Sequence, residues 1–138
     1  MGPFLKTTLL LSFMAIFSSC GGRPAGYKTV PVSGILRCQG KPIPGIQVLF
    51  SPRAENGRGE SSPGRSAMAR TDDEGKFTLS TYGLNDGAVV GKHTVTLLVL
   101  DDPRAPVSAE AKKNVAPCVN STMEVEVKPG MDEVKLDL

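Results

Sequence analysis

His93-Thr-Val-Thr-Leu-Leu-Val-Leu100 is the stretch that decides the fold. Val95, Leu97 and Val99 fall on one face and Thr94, Thr96 and Leu98 on the other. This is the period of two that marks a β-strand, in a segment too short and too rich in β-branched residues for a helix. Leu98 and Leu100 on the second face predict a strand partly covered on both sides.

The same alternation continues outward in both directions. Toward the N-terminus, Asn85-Asp86-Gly87 reads as a turn. Ahead of it, Ser66–Thr71 and Lys76–Thr81 flank Asp72-Asp73-Glu74-Gly75, the pattern of a tight hairpin. Phe77 and Leu79 would face inward. Residues 52–65 hold so much Gly, Pro and charge that they read as a long exposed loop. Ile46, Val48 and Phe50 form another alternating run, and Val30, Val32 and Leu36 share an even register around Gly34. Toward the C-terminus, residues 101–121 make a second long connection, in which Ala109–Val115 reads as one or two helical turns. Met123, Val125 and Val127, then Val134, Leu136 and Leu138, alternate with charged residues around Pro129-Gly130 and predict a closing hairpin. Seven short strands predict an all-β protein, a β-sandwich.

The first residues carry an address. Thr7–Phe17 is an apolar run preceded by Lys6 and followed by Ser18-Ser19-Cys20-Gly21-Gly22. The run has the length of a signal-peptide core and falls short of the ~20 residues that span a bilayer. A cysteine at this junction looks like a bacterial lipoprotein cleavage site, which would make Cys20 the lipidated N-terminus, with Phe17 standing where such signals usually have an aliphatic residue. An ordinary signal peptide cut near Ser19 is the other reading. The expected organisation is a signal peptide over 1–19, a Gly/Pro tether over 20–29 and one domain over 30–138. The chain would then be exported and held in the cell envelope by lipid.

Composition excludes several classes. The 16 Lys and Arg, less Lys6, nearly balance the 14 Asp and Glu, so no basic face calls for nucleic acid. Cys38 and Cys118 are an even pair in an exported chain and suggest one disulfide; two separate buried thiols are the alternative. Two cysteines and a single histidine, His93, lack zinc spacing. Asp72, Asp73 and Glu74 lack the ligand spacing of an EF-hand and read as a turn. Glu124 and Glu126 read as solvated neighbours on one strand face. No Gly-x-Ser-x-Gly nucleophile elbow is present to make a hydrolase with His93. No cofactor, metal or catalytic residue is therefore expected. Arg53, Arg58, Arg65 and Arg70 lie in or beside the first long loop and read as part of a solvated segment, with an anionic envelope polymer as the other reading.

Four pieces in order carry a resemblance: Val32-Ser-Gly-Ile-Leu36, Gly40-Lys-Pro-Ile-Pro-Gly-Ile-Gln-Val-Leu-Phe50, Thr71-Asp-Asp-Glu-Gly-Lys-Phe77 and Gly91-Lys-His-Thr-Val-Thr96. Together they resemble the carboxypeptidase regulatory-like, transthyretin-like domain of exported bacterial proteins. Val125-Glu-Val-Lys-Pro-Gly130 and Val134-Lys-Leu-Asp-Leu138 fit it as well. The resemblance implies a seven-stranded Greek-key sandwich, prealbumin-like, that displays or binds and does not catalyse. The related hydroxyisourate hydrolases need more than one histidine and a C-terminal Tyr-Arg-Gly-Ser, whereas this chain ends Lys135-Leu-Asp-Leu138. The expected partners are a membrane, through lipid on Cys20, and an envelope protein or polymer reached through loops 52–65 and 101–121. A carbohydrate-binding module is the alternative, with Tyr27 and Tyr82 as the only tyrosines available for stacking.

Overall fold

A computed structural model describes residues 27–54, 64–131 and 133–138. The signal segment, Cys20, the first part of the tether, Arg58 and most of loop 52–65 lie outside the described residues. The described chain is all-β with one short helix. Against the seven strands expected, ten run in order among the described residues: β1 Thr29–Val30, β2 Ser33–Cys38, β3 Lys41–Pro42, β4 Gln47–Pro52, β5 Ala67–Arg70, β6 Lys76–Thr78, β7 Ala88–Val89, β8 Gly91–Leu98, β9 Met123–Val127 and β10 Glu133–Asp137. Three of them, β1, β3 and β7, are only two residues long. Helix α1, Ala109–Val115, stands between β8 and β9.

Two four-stranded sheets face each other. One has the order β5-β4-β8-β9, all antiparallel. In the other, β2 is central, with β10 parallel on one side and β3 and β6 antiparallel on the other. A small β1-β7 pair makes a third sheet. The apolar alternation read from the sequence becomes the core: Val32, Leu36, Ile46, Val48, Phe50, Phe77, Leu79, Val95, Leu97, Val127, Val134 and Leu136 are all buried. Phe50 on β4 meets Phe77 on β6 across the two sheets, with ring centroids 6.3 Å apart. That is aromatic-pair range, and it pins the sheets face to face.

Gly34 explains how closely the layers approach. A Cβ there would lie 2.2 Å from the Val134 carbonyl oxygen and 2.6 Å from the Phe77 ring. The missing side chain lets β10 and Phe77 settle directly onto β2.

Two expected hairpins are not regular hairpins. Met123–Val127 and Glu133–Asp137 do not pair: β9 adds to β8 in one sheet and β10 to β2 in the other. The turn is the cause. Met131 N–H donates to Lys128 C=O, with Pro129 and Gly130 between them and Gly130 at φ +80°. This is the type II pattern, whose twist splays flanking strands, whereas hairpins favour the I′ and II′ turns. The chain therefore crosses from one sheet to the other. The Asp72–Gly75 turn forms as expected, with Gly75 at φ +77° and the Asp72 carboxylate accepting from Glu74 and Lys76 N–H. Its arms also diverge, β5 joining β4 and β6 joining β2, and meet again only at a Met68–Ser80 bridge. Thr71 is drawn to Ile46 and Leu79 to Val32, because each arm completes a different sheet.

Leu100 corrects the reading of the deciding strand. β8 ends at Leu98, and Leu100 beyond it is 48% exposed, so the second face is not covered there. The segment that follows is not a plain loop. Ser108 caps α1 through its hydroxyl, which accepts from Ala111 N–H, and Ala111 and Val115 turn into the core. No helix among the described residues is long and apolar enough to cross a membrane.

Candidate functional site

Cys38 closes β2 and Cys118 follows α1; they form a disulfide with Cα atoms 6.1 Å apart, in the usual range. The bridge ties the helical connection to the end of the central strand. It also takes up both cysteines other than Cys20.

The carboxylates considered for chemistry are spent on structure. Asp72 caps its own turn, and Glu74 pairs with Lys76, whose ammonium is held above its ordinary value by that hydrogen bond and charge. Glu124 pairs with Arg53 and Glu126 with Lys128 on the outer face of β9. No group of three or more His, Cys, Asp or Glu among the described residues could hold a metal ion.

His93 is not at an edge. β8 runs between β4 and β9, and His93 is fully buried there, its ring 5.9 Å from Phe50. Its Nε2 hydrogen-bonds Val89 C=O at 2.7 Å, and Nδ1 has no partner. A Nε2–H donor is the tautomer this geometry requires. The imidazole therefore links the start of β8 to β7 from inside the core.

The two long connections do not converge. β4 and β8 are antiparallel, with Pro52 opposite His93 and Gln47 opposite Leu98. Loop 52–65 thus leaves one end of the ladder and segment 101–121 the other. The arginines separate in the same way. Arg53 and Arg65 lie at the first end, while Arg70, paired with Gln47, reaches Ala105 C=O at the second. A single binding surface made of both loops, or of all four arginines, is not formed by the described residues.

One end of the sandwich does gather exposed side chains. Lys28 C=O accepts from Val90 N–H and β1 pairs with β7, so Tyr27 to Thr29, expected to be tether, already lie against the domain. Gly64 fits between Tyr27 and Val89. Tyr82 is half-buried, and its hydroxyl accepts from Arg65 N–H at 3.2 Å. Residues 81–87 form a tight loop around Asp86, whose carboxylate accepts from Thr81, Tyr82 and Gly83 N–H at 2.7–3.0 Å. Partial burial works against ionisation of Asp86, but those bonds together with its own backbone N–H outweigh it and hold the carboxyl below its ordinary value. Ser80 Oγ accepts from Asn85 N–H, and Thr81 Oγ1 donates to Gly87 C=O. Gly87, at φ +85°, sits where a Cβ would be 1.7 Å from Val30 C=O. The tip of this braced loop is Leu84, 90% exposed.

The sequence marked Asn85-Asp86-Gly87 as a turn but not the clamp made by Asp86. The visible signal was an isolated leucine inside a turn-rich stretch, Tyr82-Gly83-Leu84-Asn85. Comparisons with protein-family models, curated proteins and solved structures found no match for the chain.

Proposed function

We propose that the chain is an exported, lipid-anchored envelope protein that carries one sandwich of the seven-stranded Greek-key, transthyretin-like kind over residues 30–138 and works by display or binding, without catalysis. In this reading residues 1–19 are the signal peptide and Cys20 is the lipidated cysteine. The observation that carries it is the Cys38–Cys118 bridge. A disulfide belongs to oxidising compartments outside the cytosol, which supports export. It also leaves Cys20 as the one thiol free for a thioether to lipid. Burial of His93 beneath Phe50 supports a non-catalytic role, because the only histidine is withheld from any substrate in solvent.

Anchoring by two or more acyl chains is stable where one chain is marginal. Radiolabelled palmitate should enter the wild-type chain in a bacterial host and be lost in Cys20→Ala. Equal labelling of the two would overturn the anchor.

A further inference from the structure

We propose that the Tyr27–Tyr82–Leu84 end of the sandwich is its bilayer-facing surface and rests on anionic lipid headgroups. The inference deepens the lipoprotein reading and rests on it.

Tyr27 packs beside Gly64 and Val89 at this end. Cys20 precedes Tyr27 by seven residues, a reach of at most about 25 Å for a fully extended chain. A lipid on Cys20 therefore holds this end, and not the α1 end, within a short distance of the membrane. Leu84 is 90% exposed and Val90 39% exposed, and two tyrosines stand beside them. Tyrosines and isolated apolar side chains suit the headgroup region, where an aromatic ring can be half wet and half dry. Lys28 and Arg65 are both exposed here. Asp86, the acid of the 81–87 loop, turns its carboxylate onto three backbone N–H groups. Lys92 lies opposite Glu126 on the neighbouring strand. Neither Lys28 nor Arg65 makes an ion pair among the described residues, and a cation beside an anionic leaflet is worth about fivefold in binding.

The Asp86 and Ser80 bonds fix the 81–87 backbone, so Leu84 is already presented and little ordering entropy is lost on contact. Replacing so exposed a residue removes little packing, and the fold should tolerate a probe there.

The test uses the full acylated chain in vesicles that contain phosphatidylglycerol and lipid-borne quenchers. A polarity-sensitive fluorophore is placed on Leu84→Cys or, at the far end, on Glu110→Cys. The proposal expects the probe at 84 to be blue-shifted and quenched several-fold more than the probe at 110. Lys28→Glu with Arg65→Glu should reduce that difference, with unchanged thermal melting as the check on folding. Equal quenching at the two sites, on protein shown by mass to be acylated, overturns the proposal and leaves the anchor standing. A probe at 84 that is shielded but unquenched overturns it in favour of a protein contact. Absence of the acyl mass overturns both readings.

Discussion

At the scale of single residues, the described molecule uses its polar side chains mostly to hold its own backbone. Asp86 is the clearest case. An ordinary aspartate titrates near 3.8, and Asp86 in the fold titrates lower. Its contribution to stability is therefore complete above the ordinary value and is lost as pH falls through the lower folded value. Asp86→Asn keeps the shape but gives up the charge and one accepting oxygen. A carboxylate bonded to backbone N–H groups is worth about 2 kcal/mol, so the variant should be destabilised by that order at neutral pH. Urea melts from about pH 7 to about pH 2 check this, since the gap between wild type and variant should close on acidification. A gap independent of pH would show that the carboxylate charge is not what braces the loop. His93 is the opposite kind of residue. It makes one hydrogen bond to Val89 and otherwise fills the core against Phe50. Its place inside a central strand could not be read in the sequence, because alternation assigns a face without saying which strands flank it.

At the scale of elements, the decisive feature is the position of β2. Gly34 pairs with Val134 on one side and with Phe77 on the other, and both approach closer than a Cβ would allow. Gly34→Ala should therefore cost about 1–3 kcal/mol or more, as overpacking does, because one of the close atoms is a backbone oxygen that cannot rotate away. Gly130→Ala provides the contrast: nothing lies within 4 Å of the added Cβ, and only the positive φ opposes it, at about 1 kcal/mol. Chemical denaturation of the two variants should rank them in that order, and the reverse ranking would mean that β2 relaxes freely. The strands and the helix were legible where the signal was local. Val32, Leu36, Val48, Phe50, Val95 and Leu97 are buried as the alternation required, and α1 spans the residues read as one or two turns. The two hairpins were legible as turns and not as pairings. Pro129-Gly130 was visible, but its meaning lay in the type II twist that sends β9 and β10 to different sheets.

At the scale of the whole molecule, one covalent link spans the domain. The Cys38–Cys118 bridge closes a loop of 80 residues. In the chain-entropy model such a closure is worth about 4–5 kcal/mol. Cys38→Ser with Cys118→Ser, or reduction of the wild type, should lower the urea midpoint accordingly. Intact mass of the unreduced chain should fall about two daltons below the reduced one, and two alkylatable thiols in unreduced protein would refute the bridge. The distribution of surface features is also a property of the whole. Loop 52–65 and segment 101–121 depart from opposite ends of the β4–β8 ladder, so a partner that meets one does not thereby meet the other.

The two-residue strands β1, β3 and β7 have no signal of their own in the sequence, which was enough for the longer strands, their inward faces, the turns and the single helix. Each of these follows from residues within a few positions of one another. The tertiary structure alone decided which strands became neighbours, that Cys38 meets Cys118, and that Tyr27, Arg65, Tyr82 and Leu84 share one end. Those relations rest on hydrogen bonds and close contacts between residues far apart in the chain, and a period of two is the same whichever strand lies alongside.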